Sequence, residues 1–294
     1  MQDNSIIESL VLIKLKISSW TSKREHRREA RELETNRGAA NGTVSVKAEY
    51  LEEKYRHLIG TASSHLRSFF NDNTLPWMDG GYRIVPVEKY QSLMDSLAQV
   101  IREEWEPAVL VLSSSYDAIK LAAQSRLSEL YDPANFPAPG DFAGSYAVDI
   151  QRSAVQKADD ARIAGMSESA LAEIRDSIRA QQSEALSKAT ESLIKRVREM
   201  MMEIIDRVSR DKKGTHYKSL WSNLRALVAV LPQLNINGDP RITKAVDNIN
   251  ERIARWPAEY MRQSKSARDT VATAAAGILQ DLNSTVSSAS VEVE

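Results

Sequence analysis

The chain has 294 residues, 42% apolar and 27% charged, with 39 basic residues against 40 acidic ones. That balance suits a globular protein with one large core or two modest ones. Cysteine is absent, which excludes disulfides, zinc–thiolate sites, iron–sulfur clusters and thiol catalysis. Because the net charge is only −1, any nucleic-acid contact has to come from a local basic patch and not from the overall field.

In chain order, residues 5–17 end in the alternation Leu12-Ile13-Lys14-Leu15-Lys16-Ile17, which predicts a short strand, with a first helix as the second reading. The polar segment Ser22–Arg37 predicts a helix that Gly38 stops. From about Ser45 to Asn71, the apolar positions Leu51, Tyr55, Leu58, Ala62, Leu66 and Phe69 step along one helical face. The segment Asn73–Arg83 holds Pro76, Asp79, Gly80 and Gly81 and reads as a dense turn. Helix resumes at Pro86 or Val87 and keeps its stripe through Leu130, with a kink or break expected near Glu103–Glu106 because of Pro107. After a Pro-rich loop, residues 145–152 predict a second strand, able to pair with residues 11–17.

Ser167 then caps a long helix reaching about Arg210. Its stripe from Leu171 to Val208 advances 3.7 residues per turn, the period of a straight bundle helix; a left-handed coiled coil needs about 3.5. Lys212-Lys213-Gly214 breaks it, a shorter helix runs to Leu231-Pro232, and a further one carries Ile242, Val246, Ile249, Ile253 and Trp256. Trp256 continues that stripe and reads as core. Pro257 opens the last helix, and the terminal SSASVEVE has no packing stripe.

The expected fold is mainly α: a multi-helix bundle of long antiparallel helices, with one small two-stranded sheet formed by residues 11–17 and 145–152. Three regions are expected. Residues 1–44 supply an N-terminal strand and basic helix, and residues 45–284 a single helical core with loops at 72–86, 132–145, 210–216 and 232–240. Residues 285–294 form a disordered acidic tail. The opening apolar stretch is broken by Glu8 and followed by lysines, the reverse of a signal peptide. No apolar run approaches the ~18–20 residues of a membrane span. The expectation is a cytoplasmic protein with no membrane contact.

No catalytic motif is found. The four histidines form neither HExxH nor HxxxH, and Walker A, GxSxG and GxGxxG are absent. No enzyme, cofactor or metal is therefore expected, and function is sought in binding.

Three basic, aromatic-bearing clusters are the candidates. The first is Trp20 with Lys23, Arg24, Arg27, Arg28 and Arg31, where cations reach for phosphates and the indole stacks a base; the competing role for Trp20 is a core anchor. The second lies within residues 241–268, with Arg252, Arg255, Arg262, Lys265 and Arg268 around Trp256 and Tyr260. The third surrounds Lys212 and Lys213 at a helix break, followed by Tyr217, Lys218 and Trp221. In the turn at 74–83, Trp77 is read as a core plug and Gly80 and Gly81 as suppliers of positive φ.

Four segments, LKISSWTSKR, TLPWMDGGYRIVP, ELYDPANFPAPGDF and LPQLNINGDPRI, occur in this order between residues 15 and 242. Together they resemble landmarks of a helical family of phage and mobile-element proteins. More narrowly, the chain is similar to the single-stranded-DNA-binding RNA polymerase cofactors of lytic podophages. The resemblance implies a fold unlike the OB-fold binders and engagement of locally melted promoter DNA. It further implies recruitment of the phage RNA polymerase in the cytoplasm of the infected bacterium. It assigns no contact residue. A homo-oligomer is a further expectation, and the competing function is a protein-only helical adaptor or assembly factor that binds no nucleic acid.

Overall fold

A computed structural model describes residues 6–78, 80–210 and 217–288. The chain is mainly helical, as expected, and divides into two compact units. One comprises Met1–Lys14, Asn71–Gln91 and Arg152–Glu294; the other comprises Leu15–Phe70 and Ser92–Gln151. They are called the first and second unit below.

This division does not follow the expected boundary after residue 44. Strand β2 (Lys23–Glu25) pairs antiparallel with β3 (Lys47–Glu49), Arg24 opposite Ala48, so pairing ties the two sides of that boundary together. The stretch 45–284 is likewise shared between both units, and each unit has its own apolar cluster. The same pairing explains why the helix expected from Ser22 starts only at Arg27. The Ser22 carbonyl accepts from the Tyr50 N–H and the His26 N–H donates to the Val46 carbonyl, which commits the preceding backbone to the sheet. Helix α1 then spans Arg27–Arg37 and ends on Gly38 at φ 66°, a conformation glycine adopts without steric cost.

The predicted strand is β1 (Leu10–Ser18) and its predicted neighbour is β6 (Ala147–Ala154). The sheet is larger than the expected pair: its order is β4-β5-β1-β6, with β4 at Leu75–Pro76 and β5 at Arg83–Pro86. In the first unit β1 pairs antiparallel with β5, Leu10 opposite Pro86 and Ile13 opposite Arg83. Strands of two and four residues are too short to show an alternation in sequence, which is why the turn reading hid them.

The core of the first unit is built on α6 (Glu168–Ser209), whose N-cap Ser167 accepts from the Ala170 N–H as expected. Leu193, Val197, Met201 and Ile204 are buried on the predicted stripe. Packed with it are α7 (Tyr217–Leu234), α8 (Pro240–Ile249) and α9 (Lys265–Ser288), which bury Trp221, Leu224, Ile242, Ile249, Val271 and Ile278. The break expected at 212–214 and the tail 289–294 lie outside the described residues.

The second unit packs α2 (Glu53–Asp72), α3 (Val87–Val100), α4 (Glu106–Ser114) and α5 (Tyr116–Leu127), though the ends of α2 and α3 belong to the first unit. The break expected near Glu103–Glu106 is a π-helical turn at Ile101–Trp105, after which Pro107 sits in the first turn of α4. A proline there loses no hydrogen bond, and the widened turn absorbs the mismatch. The core is aromatic: Tyr50, Trp105, Tyr116, Phe136, Phe142 and Tyr146 are buried together.

Candidate nucleic-acid interface

In the first unit, α8 passes into a π-helical turn at Asn250–Ala254 and the chain reverses through Pro257. One further helical turn, Tyr260–Gln263, leads into α9. The reversal brings residues 252 and 255 opposite the first turns of α9. Arg252, Arg255, Lys265, Ser266, Asp269, Thr270 and Thr273 line one shallow groove of about 760 Å³. Three cations face a single carboxylate there, so the groove is basic even though the chain as a whole is not.

An aromatic platform adjoins it. The rings of Trp256 and Tyr260 are parallel within 1° with centroids 5.7 Å apart. The Arg255 guanidinium carbon lies 5.2 Å from the Trp256 ring centroid, a cation–π contact. Tyr260 is 44% exposed and Trp256 is half-buried. The core role expected for Trp256 therefore holds only at the rim. The helix ends at Ala254, and the residue before a proline is steered away from helical geometry. The stripe's period stops before it reaches the indole. The Trp256 Nε1–H donates to the Arg252 carbonyl (3.1 Å), and the Trp256 carbonyl accepts from the Nε1–H of buried Trp221 (2.7 Å).

The other cations of the stretch 241–268 divide by use. Arg241 is bound to Asp239 (2.7 Å) and Glu191 (3.5 Å), and Lys244 to Asp281 (3.1 Å). Arg268 donates to the Met261 carbonyl, and Arg262 is exposed. The third cluster meets the second: Lys218 lies 3.8 Å from Glu259, and Trp221 reaches the Trp256 backbone. Arg207 and Arg210 are paired along α6 with Glu203 and Asp206. Lys212 and Lys213 lie outside the described residues.

The first cluster belongs to the second unit. Trp20 is half-buried, as Trp256 is, its ring 5.0 Å from Phe136 and 5.6 Å from Phe142 by centroids. That packing is the core-anchor arrangement, with the indole held against two rings of its own unit. Arg24 donates to the Asn135 carbonyl at 3.5 Å. Lys23 and Arg31 are exposed, and Arg27 and Arg28 are more than four-fifths exposed beside Glu25 and Glu32. On α1, Arg27, Arg28 and Arg31 share a shallow groove with Glu32, Thr35 and Asn36. Glu34 faces inward, where its carboxylate accepts from the Val44 N–H. On this side of the cluster the ring, Trp20, is already packed against two phenylalanines.

The turn at 74–83 plays a structural part. Trp77 is buried, Gly80 and Gly81 have φ of 91° and 74°, and Lys14 sits over the Tyr82 ring at 5.2 Å; Asp79 lies outside the described residues. Arg83 donates to the Thr74 hydroxyl and to the carbonyls of Asn71 and Thr74. Arg196, from α6, donates to the carbonyls of Asn71, Asp72 and Thr74. Burial, with the like charge of Arg196, pulls Arg83 below its ordinary value, and Asp72 opposes the shift. Lys89 is lowered by burial and by Arg196. Nothing in the α6 stripe marks Arg196, because its partners are backbone carbonyls that sequence patterns do not display.

Among the described residues, no helix is long and apolar enough to cross a membrane. Comparison with protein-family models, curated proteins and solved structures returns no match.

Proposed function

We propose that this is a non-catalytic single-stranded-DNA-binding protein of a phage, a transcription cofactor that engages melted promoter DNA and recruits the phage RNA polymerase in the infected cell. The observation that carries the DNA part is the groove of Arg252, Arg255 and Lys265 beside the parallel Trp256 and Tyr260 rings. Cations spaced along a groove neutralise phosphates, and an exposed ring stacks on a base face. In a duplex that face is already stacked on its neighbours, so the platform gains contact only with unpaired strands. The polymerase part rests on the resemblance of the four ordered segments.

The test is a fluorescence-anisotropy titration of the full chain with single-stranded and duplex oligonucleotides of the same sequence at low salt. Tighter binding of the single strand supports the proposal, and no binding of either ends it. Recruitment is tested by capture of the phage polymerase on promoter DNA with a melted segment, which should require this protein. If the polymerase co-purifies with this protein after nuclease digestion while DNA binding is absent, the protein-only adaptor is the correct function.

A further inference from the structure

The groove of the first unit holds one group that phosphate binding does not use. Asp269 lies on α9 between Lys265 and Thr273, four residues from each, so the three share one helical face. A carboxylate there repels every phosphate that Arg252, Arg255 and Lys265 attract. Neither common structural use of such a residue accounts for it. Helix-dipole stabilisation is confined to the first turn, and Asp269 sits in the second. An ion pair would be the other use, but the exposed Asp269 carboxylate makes no ion pair or hydrogen bond among the described residues. Lys265 precedes it by four residues, the less favourable order for a pair along a helix. Arg255 is turned to the Trp256 ring instead.

Its chemistry says what it can read. Stacking holds any base by its face, so a preference among bases has to come from a group that meets an edge. Asp269 is the one acceptor-only side chain lining the groove, with two oxygens side by side. Guanine presents two adjacent donors on its pairing edge, N1–H and the N2 amine. Cytosine and adenine set their amine beside a ring nitrogen that repels a carboxylate, and thymine sets its N–H between two carbonyls. In a duplex the guanine edge is taken by cytosine; in a single strand it is free. We propose that Asp269 reads guanine in the strand held by this groove, accepting from N1–H and from the N2 amine. This assignment rests on the single-strand binding proposed above and adds a base preference to it.

The test is anisotropy of the full chain with oligothymidines that carry one central guanine, inosine, 7-deazaguanine or cytosine. Guanine should bind tighter than cytosine by on the order of tenfold, the discrimination of a good bidentate contact. Inosine lacks the N2 amine and should lose much of that gain. The 7-deaza base keeps the whole pairing edge and should lose none. Asp269→Asn should abolish the guanine advantage, yet bind plain oligothymidine at least as tightly as the native chain, because a negative charge leaves the groove. Equal affinity for guanine and inosine, or a preference that survives Asp269→Asn, overturns the assignment and leaves single-strand binding standing. A preference lost with 7-deazaguanine overturns it too, since an arginine at the N7 edge is then the reader. Failure to bind every oligonucleotide overturns both proposals together.

Discussion

Trp256 and Trp20 are the two residues on which sequence and structure divide most usefully. Both sit among cations, and only apolar periodicity separated their roles in the sequence: Trp256 continued a stripe and read as core, while Trp20 stood outside one. Tertiary packing shifts the emphasis, since Trp20 lies against two phenylalanines, whereas Trp256 lies two residues past the end of its helix, half-buried and parallel to the exposed Tyr260. Trp256→Ala should therefore weaken single-strand binding by about 1–3 kcal/mol, the usual worth of a base–aromatic stack, measured by anisotropy. Trp20→Ala should lower the melting temperature and leave affinity nearly intact. The reverse pattern would place the site on the second unit. Asp239 supplies a control away from the groove. The side-chain hydrogen bond from Arg241 holds its carboxyl below the ordinary 3.8, against the opposing effect of burial. A lowered folded value adds stability that is fully present above the unfolded value and is lost as pH falls through the folded one. Asp239→Asn should flatten the loss of stability below about pH 4 in acid melts, without changing DNA affinity near neutral pH.

At the level of elements, the long helices were legible because burial repeats every third or fourth residue, and α6 buries its predicted stripe from Gln182 to Val208. Its Ser167 cap was legible too, since a serine before a helical run has one common use. Ser167→Ala should cost about 1 kcal/mol and speed hydrogen exchange in the first turn of α6 more than in its middle; uniform acceleration would argue against a local cap. What sequence could not show were the short strands β2, β3, β4 and β5, each two to four residues long. Such strands are fixed by partners distant in sequence, and so is the anchoring of Arg83 and Arg196 on the carbonyls of Asn71 and Thr74. Arg196→Met removes donors from the carbonyls of Asn71, Asp72 and Thr74, of which only Thr74 is a buried residue and two keep a bond from Arg83. It should destabilise the fold by roughly 1–3 kcal/mol in denaturant melts, through the charge-assisted hydrogen bonds lost and not through stranded carbonyls.

For the whole molecule, two cores replace the single helical core expected, and the basic clusters sort between them. The first unit holds cations beside the parallel rings of half-buried Trp256 and exposed Tyr260; the second holds the arginines of α1 near a Trp20 packed on two phenylalanines. Net charge hid this, because the acidic residues are spent elsewhere: Glu191, Asp239 and Asp281 hold Arg241 and Lys244, while the cations at 252, 255 and 265 face only Asp269. A binding site made of local imbalance should behave electrostatically in spite of a chain charge of −1. The most direct measurement is therefore the single-strand affinity as a function of salt. With three phosphate contacts, log K should fall against log salt with a slope of about −2, roughly twentyfold between 50 and 200 mM. Replacing Arg252 and Lys265 by alanine should bring the slope to about −0.7. A salt-independent affinity, or a slope unmoved by those two substitutions, would contradict the assignment of the groove.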